Sequence, residues 1–424
     1  MNNSKVKKIL LILFFLAFSI RLVLLLTTFQ NQGSGGITEI SLNPAVNLAQ
    51  GNGFSISTKD GLKPNNYELP GYPLFLSVQI FFFGKTIGLW VARIIQMILS
   101  SLLGVYLCFS IGRRLFDNNV GLIFAGLWAI FLPEALLSTY VLHDAPMPLI
   151  ALSATYFFVG AVMEKRQKYY YICAVLIGIG GAIRTDIILL PTFFLLSLLV
   201  CNIREWKRHF INFVVMGSII FLIQLPWGIR NYVHFGEFSI MRSVLWQSIW
   251  EGFGEFSNPF GAVQDDTITA RQVFEEYGLM DGNSSEFQQI MKTKVIDAVK
   301  EHPLWFITML PKRFFNMVAI GGGAHGHEIF TRDSFYNYAS SYKIGNPDGN
   351  VFGYFLFLSK NPFEFLIRIV PLIFRGFILL LAVIGAILWR EHWRKIFLVF
   401  SVYAYGILAH LPIYWEPRYI IPTE

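Results

Sequence analysis

Charge is what this chain has least of. Only 14% of its 424 residues are Asp, Glu, Lys or Arg, against about 25% in a soluble domain, while 54% are apolar, with 41 Phe, 18 Tyr and 10 Trp. That shortage excludes an ordinary soluble protein and makes a bilayer the solvent. Cysteine is equally scarce. Cys108, Cys173 and Cys201 lie in or beside apolar segments without pairing or metal spacing, which excludes a disulfide scaffold and leaves them as small packing residues. No glycine loop of the kind that cradles nucleotide phosphates is present. GIGGAIR, residues 178–184, is embedded in an apolar run, where its glycines permit close helix packing. The net charge of +7 does not signal nucleic acid, because the basic residues fall in short clusters between apolar runs, where they set topology.

What is present is a succession of apolar runs. Lys5, Lys7 and Lys8 precede the first, Ile9 to Phe29, which is long enough to span the hydrocarbon core and starts inside. TTFQNQ offers no small-residue cleavage site, so the run reads as a retained span. Arg21 interrupts it at a cost of about 2.5–3.5 kcal/mol, and is either functional or snorkelling. Tyr72 to Gly84 is too short to span and reads as an interfacial or re-entrant helix, whereas Ile87 to Ile111 does span. Further spans fall near 120–139, 145–163, 169–183, 187–201 and 210–227. The loops assigned inside carry Arg113 and Arg114, then Lys165, Arg166 and Lys168, then Arg204, Lys207 and Arg208.

From Arg230 to about Phe365 no convincing span occurs and most acidic residues are found, which marks an outer region. Within it, Phe287, Ile290, Met291, Val295, Ala298 and Val299 recur at helical spacing over 284–301 and describe an amphipathic surface helix ended by His302 and Pro303. The next run, 305–320, carries Lys312 and Arg313 and reads as lying along the interface. Ile367 to Leu388 then returns inside and Ile396 to Pro412 crosses outward. The expected fold is an all-α polytopic membrane protein of about nine transmembrane helices, N-terminus inside. It divides into a transmembrane module (1–229), an outer region (230–365) and a C-terminal transmembrane pair with its outer RY motif (366–424).

The polar loop from Gln30 to Gly71 organises the rest. It is too polar to enter a bilayer and too long to be a mere connection. Asn43, Pro44 and Gly51 outline a short helix, PAVNLAQ, with an N-cap, a first-turn proline and a C-terminal glycine. Just before it stands Glu39, the only carboxylate between the first span and that helix, and a candidate for acid–base chemistry at the membrane surface.

Other polar residues hard to explain by packing gather at the outer ends of the spans: His143 and Asp144, Arg184 and Asp186, Arg230 and Asn231, and Glu416 to Tyr419. Carboxylates beside fixed cations there suit a lipid-borne phosphate. Arginine neutralises the phosphate and a carboxylate deprotonates an acceptor hydroxyl. Each residue also has a plainer reading. Asp144 with Pro146 suits a helix cap, Arg184 suits a pair with Asp186, and Arg230 with Trp227 suits an interfacial anchor.

PGYPLFL (70–76), the run from Ala92 to Phe116, LPWGIRNYVHFGEF (225–238) and EPRYIIP (416–422) together resemble the bacterial membrane glycosyltransferases of the GT-C superfamily. The kin are relatives of dolichyl-phosphate-mannose protein mannosyltransferases and of lipid A aminoarabinose transferase. The resemblance implies many membrane helices, a first outer loop bearing the catalytic carboxylate, a polyprenyl-phosphate sugar donor, and inversion at the anomeric centre. The family position for that carboxylate, eight residues before Ala45, is Ile37 here, so Glu39 stands two residues away, with Asp60 and Glu68 as alternatives. His143 and Asp144 fall where relatives place a carboxylate. Arg184, Arg230, Arg418 and Tyr419 fall where a donor phosphate is approached.

No cofactor is demanded. A divalent metal stays open: GGGAHGHE offers His325, His327 and Glu328, but two His two residues apart lack a third well-spaced ligand, and a flexible glycine-rich loop is the plainer reading. The partners implied are a polyprenyl-phosphate-sugar donor, a lipid, glycan or protein acceptor, and membrane lipid, with no nucleic acid. The implied location is the cytoplasmic (inner) membrane, with the site facing outward. A transporter or flippase of a lipid-linked saccharide, and an inactive polyprenyl-lipid-binding relative, are the alternatives. A transporter places polar residues near the midplane and shows an internal repeat, whereas here they gather at one face.

Overall fold

The computed structural model describes residues 3–28, 37–59, 61–241, 244–278, 284–319, 362–414 and 421–423, and these are mostly helical. The first helix, α1 (Asn3–Thr28), is followed by the loop helix α2 (Ile37–Ala49). Helix α2 begins six residues before the expected Asn43 cap and runs through Pro44. Its start signal was misleading because Asn43 caps nothing: its Oδ1 accepts from Ser57 N at 3.0 Å and from Asn47 Nδ2 at 3.3 Å. The expected C-terminal glycine is in place. Gly51 has φ 80°, and Gly51 N and Asn52 N donate to Leu48 O and Asn47 O, the nested pattern that closes a helix on a left-handed residue. A two-stranded hairpin follows, β1 (Ser55–Thr58) and β2 (Gly61–Pro64), antiparallel with Ser55 opposite Pro64.

Helix α3 (Gly71–Leu99) reverses on itself at Gly84, whose φ of 73° and ψ of 169° are open to glycine at little cost. The two arms pack back to back. A Cβ on Gly88 would lie 2.8 Å from the Gln79 carbonyl, and Tyr72 Oη donates to Gln96 Oε1 at 3.0 Å across the pair. The first arm is the short helix expected over 72–84. A π-helical turn, Ser100–Gly104, joins the second arm to α4 (Val105–Leu115).

The expected span 120–139 is two helices, α5 (Asn118–Ile130) and α6 (Leu132–Leu137), broken at an extended Phe131. Pro133 has no N–H to continue the ladder. The carbonyls this break leaves are taken by Arg21, which donates to Trp128 O and Ala129 O, both at 3.3 Å, and pairs with the carboxylate of Glu134. Arg21 is fully buried, so it neither snorkels nor reaches the surface.

Helices α7 (Met147–Met163), α8 (Gln167–Gly181), α9 (Leu190–Cys201) and α10 (Trp206–Phe235) complete the main bundle. Its core joins Tyr72 and Leu76 to Phe158, Ile177 and Phe194, with Phe158 stacked on Phe194 at 3.8 Å. The glycines of the 178–184 run do permit close approach, since Cβ atoms on Gly178 and Gly181 would lie 2.6 Å from Ile223 and 2.8 Å from Gln224. Helices α11 (Leu245–Phe253), α12 (Asp266–Tyr277), α13 (Ser285–Glu301) and α14 (Pro303–Ala319) surround a second core of Trp250, Phe253, Val273, Phe287, Met291 and Val295. The expected inward face of α13 is the one buried there.

The chain closes with α15 (Pro362–Leu388) and α16 (Trp393–His410). Their described parts meet at 86°. The expected pair of spans thus meets at a bend rather than side by side, and α16 lies along the bundle, against α9.

Among the described residues, α1 and the segments 71–115 and 203–235 are long and apolar enough to cross a membrane, with a fourth if the bent pair counts as one span. Segments 118–130, 147–163 and 185–201 are apolar but shorter. At 1.5 Å per residue a 17-residue helix reaches about 26 Å, just under the hydrocarbon thickness. Apolar runs in sequence thus number more than full-length helices. The basic clusters assigned inside meet at one end of the bundle: Arg114 pairs with Glu164 at 2.9 Å, Phe116 packs edge-on to Trp389, and Cys201 Sγ meets Arg394 O at 3.4 Å.

Candidate functional site

At the opposite end, four chain segments converge on a buried chain of charged side chains. The first carries Glu68. Asn65 accepts from Tyr67 N at 2.8 Å through its side chain, a local turn that leads into Glu68 just before α3. A few residues on, Gly71 N donates to Ala182 O at 2.7 Å, and a Cβ on Gly71 would lie 2.8 Å from that same oxygen. Glu68, three residues before this joint, and Arg184, two residues after it, are thereby held in register.

The second segment links α6 to α7 and carries His143 and Asp144. Asp144 is not the cap its sequence suggests. Its backbone carbonyl accepts from Met147 N at 3.1 Å, and no side chain caps α7. The carboxylate turns inward instead, because Arg184 is there to receive it. His143 lies between two acids, Nδ1 3.7 Å from Glu68 Oε1 and Nε2 3.6 Å from Asp144 Oδ2.

The third segment is the turn between α8 and α9, with Arg184 and Asp186. Arg184 NH1 donates to Asp144 Oδ1 at 2.6 Å, while Nε and NH2 donate to the two oxygens of Asp186 at 3.0 and 3.1 Å. A guanidinium holding one carboxylate bidentately and a second end-on is fixed in orientation. The fourth segment is the end of α16. Tyr405 Oη donates to Asp186 Oδ2 at 2.8 Å, and His410 Nε2 stands 3.1 Å from Arg184 NH2 and 3.4 Å from Asp186 Oδ2. The result is a continuous line from Glu68 through His143, Asp144, Arg184 and Asp186 to Tyr405 and His410. Glu68 and Asp144 are fully buried.

Two carboxylates, Asp144 and Asp186, thus flank one permanent cation, and Glu68 stands on the other side of His143. The line brings carboxylates and imidazoles together, the groups that general acid–base chemistry uses. Among the described residues no group of three or more His, Cys, Asp or Glu is arranged to hold a metal ion.

The residues singled out from sequence fall into three sets. His143, Asp144 and Arg184 are brought together. Arg230 is placed elsewhere, donating to Asn65 O at 2.7 Å and Phe54 O at 2.9 Å, with its guanidinium 4.8 Å from the Trp227 ring centre. It straps the hairpin onto α10. Glu39 lies in the first turn of α2, with its side chain outside the described structure. Asp60, His325, His327, Glu328, Arg418 and Tyr419 lie outside the described residues. Sequence reasoning passed over Tyr405 and His410. A tyrosine among 18, at the end of an apolar helix, carries no local signal, although a histidine closing such a helix does.

Residues 66–229 match the family model of the dolichyl-phosphate-mannose-protein mannosyltransferases, a segment that contains Glu68, His143, Asp144, Arg184 and Asp186. No curated protein matches the sequence. Among solved structures, the chain is similar to the archaeal oligosaccharyltransferase AglB from Archaeoglobus fulgidus, in complex with an inhibitory peptide and a dolichol-phosphate. The TM-score is 0.52 at 14% identity, over 98% of this chain and 48% of that one. The oligosaccharyltransferase of the same organism tethered to an acceptor peptide gives a TM-score of 0.46 at 14% identity, over 100% of this chain and 55% of that one. The chain therefore spans about half the length of the structures it matches. By its helical fold and by the family model over its central segment, this chain resembles the GT-C membrane glycosyltransferases.

Proposed function

We propose that the protein is an integral-membrane glycosyltransferase that moves a sugar from a polyprenyl-phosphate donor to a hydroxyl-bearing lipid, glycan or protein acceptor at the outer face of the cytoplasmic membrane. The observation that carries this reading is the buried line of acids and bases at one end of the bundle, of which Glu68, His143, Asp144, Arg184 and Asp186 lie inside the family-matched segment. In the reaction the acceptor oxygen attacks the anomeric carbon, the bond from that carbon to the phosphate oxygen breaks, and polyprenyl phosphate leaves with the bonding pair. Attack from the far side inverts the centre. The acceptor proton passes to a carboxylate, for which the first-loop Glu39 is the proposed base, with Asp144 and His143 as a second proposed acid–base group.

The two arginines take different parts. Arg184 is committed to Asp144 and Asp186, so we assign it to orienting Asp144 rather than to the donor phosphate. Arg230 fixes the hairpin. Arg418 and Tyr419, in the segment following α16, are then the proposed phosphate contacts.

The test is transfer from radiolabelled polyprenyl-phosphate hexoses by the purified protein in detergent or liposomes. It is run beside Glu39→Gln and Asp144→Asn, with folding checked by size exclusion. Transfer by the parent that falls at least about 100-fold in each variant supports the assignment. Full activity in Glu39→Gln removes it as the base and turns attention to Glu68. A folded parent that transfers from none of a panel of hexose and pentose donors overturns the reading.

A further inference from the structure

We propose that Tyr405 and His410, at the end of the last helix, are positioning residues for this transfer. They hold the Arg184–Asp186 pair so that Arg184 presents one fixed face to Asp144. The inference rests on the proposed glycosyl transfer and extends the site to a helix more than 200 residues away in sequence, with separations of 219 from Asp186 to Tyr405 and 226 from Arg184 to His410.

The geometry leaves each group one role. His410 Nδ1 is 2.8 Å from Gly406 O, and a carbonyl only accepts, so the ring proton sits on Nδ1. In the neutral ring Nε2 is then an acceptor, and the donor facing it at 3.1 Å is Arg184 NH2. Tyr405 Oη gives its proton to Asp186 Oδ2. Arg184 is thus turned by acceptors on two sides, Asp186 and His410, and its remaining arm points at Asp144 Oδ1. Loss of either α16 side chain lets the guanidinium swing, and Asp144 loses its register with His143. Neither residue touches the proposed reacting atoms, so the effect travels through Arg184.

Gly406 supports the same placement. A Cβ there would lie 2.1 Å from Thr423 Oγ1, so only glycine lets residues 421–423 seat against α16 at the level of His410.

The experiment compares the full-length protein with Tyr405→Phe, His410→Gln and His410→Leu, using Tyr403→Phe on the same helix as control. Transfer kinetics and thermal melting are read together. The expected result is a fall in kcat of about tenfold to 100-fold for Tyr405→Phe and His410→Leu, a donor KM within about twofold, and unchanged melting. Gln keeps an acceptor for Arg184, so His410→Gln retains more kcat than His410→Leu. An active parent whose α16 variants keep kcat, or lose it only in step with melting, overturns this inference and leaves the proposed function standing. An inactive parent overturns both.

Discussion

At the scale of single residues, the chain keeps its few charges where another charge or a broken helix needs them. Arg21 is the clearest case. It was legible as an oddity, since an arginine in an apolar run stands out, but its partner Glu134 was not, because nothing local links two residues 113 apart. Removing one member of a buried pair strands the other. Glu134→Gln is expected to cost about 3 kcal/mol in thermal or denaturant unfolding in detergent, and the double change Arg21→Leu with Glu134→Leu to recover most of it. Arg230 was read equally as an anchor or a phosphate ligand, and its donors go to backbone carbonyls of the first loop. Arg230→Gln is expected to expose the hairpin to proteolysis near Lys59 and Lys63, at a stability cost of about 1–2 kcal/mol.

At the scale of elements, the sequence conveyed helices well and their relations poorly. The amphipathic pattern of α13 predicted its buried face because a 3.6-residue period is a local property. Gly84 ends an apolar run in the sequence and Pro133 lies within one, yet only tertiary packing decides that the first reverses a helix and the second breaks one so that Glu134 meets Arg21. Pro44 misled for the opposite reason: a proline that usually begins a helix was carried inside one by the burial of Leu42 and Ala45 against α3. The joint between Gly71 and Ala182 is the element-scale feature closest to the proposed chemistry. Gly71→Ala forces a carbonyl to move and is expected to cost about 1–3 kcal/mol while lowering transfer more than melting alone explains.

For the whole molecule, composition identified the solvent and the distribution of charge identified two unlike ends. The structure gathers basic residues of several loops at one end and the acid–imidazole line at the other. It could not be read from sequence that the last two helices meet at 86° rather than side by side, since both are equally apolar. The proposed orientation is tested by cysteine labelling in intact cells, in a background lacking the native cysteines. Lys63→Cys on the hairpin is expected to react with a membrane-impermeant maleimide, and Arg166→Cys at the opposite end only after lysis. The reverse pattern inverts the topology.

The pairing of Arg21 with Glu134 also bears on how the protein is made. Ribosomes add roughly 5–20 residues per second, so about 6–23 s separate the emergence of the arginine from that of its acid. During that interval the first helix must reside in the translocon or the lipid with its guanidinium uncompensated. The nascent chain is therefore committed to waiting for its own sixth helix, and a pause or truncation before Glu134 leaves a segment prone to slip back out of the membrane.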